Sequence, residues 1–268
     1  MLSFVIIIAI ALIVIGLRIW ATRLYTRREE RRVRIWPFVS VIIPAYNEEA
    51  YIRDTIKSIK AQDYPGTIEI IVGLNGCSDN TEEIAKSEGV HVAKTDSKGI
   101  SVGRNVGAKI ARGQILIFSD ADTTLPSDCI RKLVMPLQDT SRGIAVLGGR
   151  PDKGGLVVRA VFVFANFYAR RKKASPPGPV MAVHRTVFDA VNGFDESLPQ
   201  GTSTDFIWRV QKAGARYIYV PGITVATSVR RFEKHGIFWQ MLSWRKNHKL
   251  LQGKRRDEVE KREYVDIR

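Results

Sequence analysis

The stretch 115–122 reads Ile-Leu-Ile-Phe-Ser-Asp-Ala-Asp, an apolar run that ends in two carboxylates one residue apart. A run of this length bounded by polar residues is typical of a buried β-strand. Two carboxylates at the end of such a strand are unfavourable unless they are paired or bound to a cation. Oxygen ligands suit Mg²⁺ or Mn²⁺, which usually also contact substrate phosphates. Asp120 and Asp122 are therefore candidate metal ligands, and the alternative is a solvated turn in which Asp122 caps the next helix.

Strands and helices alternate in the part of the chain that leads to this stretch. Four apolar runs predict strands, at 39–43, 68–74, 90–93 and 114–118. Segments with helical spacing lie between them, the first starting from Asn47 as its N-cap and the last rich in glycine and alanine. This alternation predicts an α/β fold with a mostly parallel sheet flanked by helices. Ligands of such sheets bind beyond the carboxyl ends of the strands, which indicates the loops 44–48, 75–79 and 119–123.

The second half of the chain is less regular. Its predicted elements are strands at 180–184, 216–220 and 224–229 and a helix at 206–213. The segment from Leu156 to Tyr168 is apolar, but Arg159 and Asn166 interrupt it and it is too short to span a bilayer. We interpret it as a helix that lies either on the sheet or on a membrane surface.

The formal net charge of +15 is concentrated at the two ends of the 268-residue chain. Residues 18–34 carry seven Arg against two Glu, and residues 230–268 carry twelve Lys or Arg against six acids. Two basic terminal segments on either side of a middle segment with little net charge favour contact with membrane lipids. They disfavour nucleic-acid binding, which more often uses a basic face of the folded domain. The two cysteines are too few for a disulfide framework or a zinc site.

The N-terminal residues predict a membrane topology. Residues 2–17 are uncharged and mostly apolar, and the run continues to Trp20, about the length that a bilayer core requires. No basic residue precedes it, as one would in a signal peptide. Seven Arg follow it, so the positive-inside rule places the rest of the chain in the cytoplasm. We expect a single-pass protein of the cell membrane with four parts: a transmembrane anchor over 1–22, a basic juxtamembrane linker over 23–37, a folded domain over 38–229 and a basic amphipathic segment over 230–268.

The C-terminal segment 230–268 mixes aromatic and aliphatic residues with cations at helical spacing. That composition is typical of a helix lying in the headgroup interface of a membrane. The alternative is a helix packed on the domain as a lid.

Several short motifs occur in an order that resembles the family 2 glycosyltransferases, which have the GT-A fold. The motifs are 39–49, 76–81, 103–113 with the Asp-x-Asp that follows, 180–185 and 193–195. They resemble the opening strand and loop, the second nucleotide loop, the helix before the metal motif and the acceptor-side half of that family. The resemblance covers about residues 38–225.

This resemblance implies a role for each candidate residue. The donor, a nucleotide diphosphate sugar, would contact Pro44, Ala45, Tyr46, Glu48, Asn75, Arg104, Asp120, Gln240 and Trp244. Within this set Asp120 would face the ribose, and Arg104 would lie near the diphosphate unless it is a solvent-facing helix charge. Asp122, with Asp120 beside it, would hold Mg²⁺ or Mn²⁺. The reaction implied is an inverting transfer of the sugar to a lipid-linked or cell-surface glycan acceptor at the cytoplasmic membrane face.

The chain departs from the family pattern at two places. Leu74-Asn75 stands where the family usually has two aspartates, so an amide would recognise the base. Thr202-Ser203 aligns with the Glu-Asp pair that supplies the catalytic base. The nearby acid is Asp205, which is either the base or the N-cap of its helix.

These departures leave two alternatives to an active glycosyltransferase. The first is a catalytically silent relative that binds nucleotide sugar or scaffolds a glycan-assembly complex. The second is a nucleotidyltransferase, which is disfavoured because the sequence lacks the glycine-rich, lysine-terminated loop of that class.

Overall fold

The computed structural model describes residues 35–171 and 178–237, together with the isolated residues Gly16, Trp20 and Leu242. The chain divides into two compact units, Met1–Trp36 and Pro37–Arg268. Apart from Gly16 and Trp20, the predicted anchor lies outside the described residues, as do most of the predicted linker and most of the C-terminal segment. Among the helices that are described, none is both long and apolar enough to cross a bilayer.

The described elements follow the alternation that the sequence predicts. The strands are β1 Val39–Ala45, β2 Ile68–Asn75, β3 His91–Thr95, β4 Ile115–Ser119, β5 Thr123–Thr124, β6 Gly143–Pro151, β7 Val180–His184 and β8 Arg216–Thr227. The α-helices are α1 Ile52–Lys60, α2 Thr81–Ser87, α3 Ile100–Ile110, α4 Cys129–Val134, α5 Leu156–Ala169, α6 Arg185–Ala190, α7 Thr202–Lys212 and α8 Arg230–His235. A short 3₁₀ helix, Met135–Leu137, follows α4.

The strands form one mixed sheet in the order β3-β2-β1-β4-β7-β6-β8-β5. The four N-terminal strands β1 to β4 are mutually parallel, and β6 pairs parallel with β8. Strands β7 and β5 run antiparallel to their neighbours. Every residue of β1 and β4 is buried, as expected for strands covered on both faces. The prediction of a mostly parallel sheet flanked by helices is confirmed.

Helix α3 lies unusually close to the sheet because glycines face each other across the contact. A Cβ atom added to Gly73 of β2 would lie 2.0 Å from the carbonyl oxygen of Gly103, and one added to Gly107 would lie 2.6 Å from Ile42 Cγ2. The small residues predicted in this helix therefore allow close packing on β1 and β2.

Four phenylalanines connect the two halves of the sheet. Phe118 on β4 packs against Phe188, Phe194 and Phe206, with ring centroids 4.9–6.4 Å apart. Phe194 and Phe206 stack at 4.2 Å. Such aromatic pairs stabilise the fold by more than the burial of their apolar area alone would. This cluster fixes α7 beneath the end of β4, where the two aspartates lie.

Several details differ from the sequence-based prediction. Strand β6 was not predicted, and the two strands predicted at 216–229 are one strand with an irregular register opposite Leu147. Asn47 is not an N-cap, because α1 begins at Ile52 and Asn47 adopts a left-handed conformation with φ 53°. Asp205 is not an N-cap either, because α7 begins at Thr202 after Gly201.

Candidate functional site

The first two predicted loops meet at the carboxyl ends of β1 and β2. The Ser78 amide donates to Asn47 Oδ1 (2.8 Å), and the Glu49 amide donates to Asp79 Oδ2 (3.0 Å). The left-handed conformation of Asn47 is thus explained by a side chain that accepts from the neighbouring loop. These bonds join the two loops into one rim of the site.

Asn75 and Pro44 lie at the base of this rim, against α3. The Asn75 side chain is buried, and its Nδ2 donates to the Gly99 carbonyl (2.9 Å). Its Oδ1 is also buried and has no hydrogen-bond partner among the described residues. A Cβ atom at Gly103 would lie 3.0 Å from Pro44 Cβ and 3.1 Å from Asn75 Oδ1. The amide predicted to recognise a base therefore presents an unmet acceptor.

Tyr46 and Ala45 complete the predicted donor-binding positions on β1 and its loop. Ala45 is fully buried, and its carbonyl accepts a hydrogen bond from the Cys77 thiol at 3.2 Å. Tyr46 is also buried, with Lys98 Nζ 5.3 Å from its ring centroid. The structure therefore places both residues in the β1 edge of the rim.

Arg230 joins the first loop to the second aspartate of the Asp-x-Asp motif. Its Nη1 and Nη2 donate to the two carboxylate oxygens of Glu48 (2.8 and 2.7 Å), and Nη2 lies 3.1 Å from Asp122 Oδ2. Glu48 is fully buried as a side chain, and the guanidinium stacks 4.8 Å from the ring centroid of Tyr51. Thr227 Oγ1 also donates to Asp122 (3.4 Å). We call Glu48, Asp122 and Arg230 the Arg230 cluster.

The Arg230 cluster keeps its arginine charged. Burial disfavours the charged guanidinium, but the hydrogen bonds that it donates to Glu48 and the charges of Asp122 and Glu48 outweigh burial and raise the pKa of Arg230. The structure thus places a permanent cation against Asp122. Sequence reasoning missed Arg230, assigning it only to the basic C-terminal segment, and the only local signal was an arginine pair directly after a strand.

Arg104 forms a second cationic cluster around Asp120. It is buried, which excludes the solvent-facing alternative. Its Nη2 donates to Asp120 Oδ1 (3.2 Å), and its Nη1 donates to the hydroxyls of Thr202 (3.2 Å) and Ser203 (2.9 Å). The guanidinium also packs 4.8 Å from the Phe194 ring centroid. The two hydroxyl residues that align with the family's acidic pair therefore face Asp120 through Arg104.

Asp205 lies in the first turn of α7 with its side chain only 8% exposed. Its Oδ2 accepts from Arg209 Nε at 2.7 Å. Arg209 also donates through Nη1 to the carbonyls of Val191 and Gly193 (2.7 and 2.8 Å). Asp205 thus belongs to the same helix turn as Thr202 and Ser203, and its role as the catalytic base stays a prediction.

A cavity of about 630 Å³ opens between the two loops and α8. Its lining includes Asn47, Tyr51, Asp79, Arg230 and Lys234. This volume is typical of sites for small molecules and cofactors. Asn47 and Asp79 belong to loops that the sequence indicated, whereas the other three were not predicted.

Asp122 is the candidate ligand for a divalent cation. The described residues contain no group of three or more His, Cys, Asp or Glu side chains that could hold a metal unaided. Mg²⁺ commonly uses one or two carboxylates and takes its other ligands from substrate phosphates and water. Asp122 already pairs with the Arg230 guanidinium at 3.1 Å, so a divalent cation would bind there in exchange for this contact. Gln240 and Trp244, predicted to face the donor, lie outside the described residues.

Comparison with known proteins agrees with this architecture. The family model described as glycosyl transferase family 2 matches residues 40–185. Glycosyltransferase AglE of Haloferax volcanii is 28% identical over 192 residues, which cover 66% of this chain and 62% of AglE. The chain therefore spans less than two thirds of the length of this relative.

Two solved structures share the fold. A mannosyltransferase from Pyrobaculum calidifontis, in complex with GDP-Man and Mn²⁺, superposes with a TM-score of 0.62 at 20% identity, covering 88% of this chain and 75% of its own. Glucosyl-3-phosphoglycerate synthase from Mycobacterium tuberculosis, in complex with Mn²⁺, UDP and its product, gives 0.56 at 19% identity, covering 82% and 80%. The predicted GT-A type of α/β fold is confirmed by this similarity.

Proposed function

The chain belongs to glycosyl transferase family 2, and from this premise we propose that it is a metal-dependent, inverting glycosyltransferase that uses a nucleotide diphosphate sugar. One observation supports this most strongly. Arg230 lines a cavity of about 630 Å³ and binds both Glu48 and Asp122, and Asn75 ends the strand β2 that pairs with β1. The mannosyltransferase and the synthase described above bind GDP-Man or UDP with Mn²⁺, which fits a donor of this class.

In this proposal the residues of the rim bind the nucleoside, and Arg104 and Arg230 offset the negative charge of the aspartates and the diphosphate. Asn75 Oδ1, an unmet acceptor, would receive a donor group of the base, because a buried polar atom gains most from a partner. A Mg²⁺ or Mn²⁺ ion at Asp122 would neutralise the leaving diphosphate. Arg230 would release Asp122 and turn its planar guanidinium toward phosphate oxygens, which it can bind in pairs.

The acceptor side of the site would be formed by the first turn of α7. Arg104 fixes the Thr202 and Ser203 hydroxyls beside Asp120. Asp205 lies in the same turn, and we propose it as the group that takes the proton from the acceptor hydroxyl. The acceptor itself would be lipid-linked or a surface glycan, reached at the cytoplasmic face of the membrane.

Donor binding measured with and without metal tests the site. In isothermal titration calorimetry, UDP or GDP should bind in the presence of Mn²⁺ and lose affinity on chelation. Asp122→Asn should remove the metal-dependent part of this affinity. Asp128→Asn, which alters an aspartate paired with Lys132 on α4, is the matched control and should leave it intact. Affinity that is the same with and without chelator would contradict a metal at Asp122.

A catalytically silent relative is the second candidate, and the hydroxyls at Thr202 and Ser203 favour it because they replace the usual acidic pair. Sugar transfer separates the two. If Asp205 is the base, Asp205→Asn should abolish transfer while donor affinity stays unchanged, since asparagine can still accept from Arg209. A wild-type protein that binds donor but neither transfers nor slowly hydrolyses the sugar would instead be a binding protein.

A further inference from the structure

Helix α5 exposes a continuous apolar surface. Its large hydrophobic side chains on that side are between 42% and 85% exposed. A surface helix of a globular protein normally turns polar and charged residues outward. The residues of this surface, which we call the outer face of α5, are Leu156, Val157, Val163, Phe164, Phe167 and Tyr168.

The opposite side of the helix fixes its orientation on the sheet. Asn166 binds both backbone groups of Gly149, accepting from its amide at 3.0 Å and donating to its carbonyl at 2.8 Å. The Phe162 ring contacts Phe232, with centroids 5.9 Å apart. A rotation that buried the outer face would break these contacts. The exposure is therefore a property of the packed fold.

Basic residues surround the outer face of α5 and favour an anionic partner. Between residues 154 and 173 the sequence contains five Lys or Arg and no acid. Arg159 and Arg170 are exposed and three helical turns apart, so they lie along one edge of the outer face. Arg171 packs its guanidinium 5.1 Å from the Phe167 ring centroid.

These observations distinguish between two possible occupants. A second copy of the chain meeting the same face would bring cations together with no acid on that stretch to pair them, since a two-fold contact is self-complementary. Anionic headgroups match an apolar stripe with an arginine edge, because the stripe enters the acyl boundary while the cations contact phosphates. We propose that the outer face of α5 docks on an anionic lipid bilayer.

This docking would place the site close to the membrane. Phe232, which the inner side of α5 contacts, is two residues from Arg230 in α8. The proposal does not require sugar transfer, since it concerns binding of α5 to lipid alone.

Environment-sensitive labelling of the full chain tests the proposal. Phe164→Cys, in a Cys77→Ser background with Cys129 buried, would be labelled with the fluorophore NBD and the protein placed in phosphatidylglycerol-containing nanodiscs. We expect a blue shift at position 164 and quenching by brominated lipid. Ser87→Cys on α2, also exposed, is the matched control and should show neither.

Two further measurements make the outcome decisive. Changing Arg159 and Arg170 together to Gln should reduce quenching at position 164, and so should high salt, since both weaken attraction to headgroups. Quenching at 164 no greater than at 87 in anionic nanodiscs would overturn the proposal. A blue shift that appears without lipid and grows with protein concentration would also overturn it, in favour of a second copy.

Discussion

Arg230 shows how a single side chain can occupy the carboxylate of a predicted metal site. Its contact with Glu48 joins residues 182 positions apart, so the arginine pair after the strand could not by itself indicate this partner. The aspartates, in contrast, were predictable because they directly follow an apolar strand. Residues that bind through their position at a strand end can be found from sequence, whereas those supplied by a distant helix require the fold.

Arg230→Lys should distinguish the effect of the positive charge at position 230 from the effect of the planar guanidinium shape. Removal of one partner of a buried ion pair lowers the free energy of unfolding by about 3–5 kcal/mol. Lysine keeps a cation next to buried Glu48 and so avoids most of this loss. It lacks the planar fork, so donor affinity should fall about tenfold while the affinity of Asp122 for Mn²⁺ alone should rise. Calorimetric titrations of Mn²⁺ and of nucleotide measure both effects.

The matched control is Arg131→Lys, which alters a partly exposed pair with Asp63. It should change neither affinity. Weaker Mn²⁺ binding by Arg230→Lys than by the wild type would show that Arg230 does not compete for Asp122.

Glu69 makes stability depend on pH. It accepts from Ser40 Oγ (2.5 Å) and from the Arg112 amide (2.5 Å) and Nε (3.0 Å). Burial alone would raise the pKa of Glu69, but these hydrogen bonds and the Arg112 charge lower it overall. A carboxyl with a lowered folded pKa contributes stability above its unfolded pKa, and this contribution is lost as the pH falls through the folded pKa.

Glu69→Gln should therefore lower the free energy of unfolding by about 1–3 kcal/mol at neutral pH. The difference from the wild type should shrink on acidification below the usual glutamate pKa. Urea unfolding across a pH series measures this difference, with Glu83→Gln at an exposed position of α2 as the control. A difference that is constant across the series would mean that the ionised form of Glu69 contributes nothing.

At the scale of elements, the apolar strands with both faces buried could be predicted from the sequence. Strand β6, whose glycines depend on contacts with other elements, could not. Most residues of β1 and β4 are apolar and all are buried, so the local sequence is enough to indicate these strands. Strand β6 contains three glycines, which normally argue against a strand. A Cβ atom at Gly148 would lie 2.6 Å from Asn166 Oδ1 of α5. Gly148 is therefore required because α5 packs closely on the strand. The intrinsic strand propensity of the local sequence contains no information about this contact.

The contact between α3 and the sheet should be sensitive to one methyl group. Gly103→Ala would place a Cβ 2.9 Å from the Gly73 carbonyl and 3.1 Å from Asn75 Oδ1. Overpacking of this kind typically costs about 1–3 kcal/mol, and here it also moves the predicted base-binding amide. We expect a lower melting temperature and weaker nucleotide binding.

Gly155→Ala is the control for this substitution, since nothing lies within 4 Å of the new methyl group. It should leave both quantities near their wild-type values. If Gly103→Ala weakens stability but not nucleotide affinity, Asn75 does not contact the base.

At the scale of the whole molecule, the position of the chain relative to a membrane stays a prediction from sequence. Seven arginines follow an uncharged apolar run at the N-terminus. In intact cells, a cysteine introduced as Glu30→Cys should be protected from membrane-impermeant thiol reagents and should react after permeabilisation. Equal labelling before and after permeabilisation would reverse the predicted orientation.

The position of β7 in the sheet has a consequence for synthesis on the ribosome. Strand β7 lies between β4 and β6, yet it is translated about sixty residues after β4 ends. At about 5–20 residues per second, β4 would present an open edge for on the order of 3–12 seconds. Unpaired edges of apolar strands are templates for association with other chains. The nascent protein would therefore be most prone to aggregate before residue 184 emerges, and synonymous codon changes that slow translation across 120–180 would lower its soluble yield.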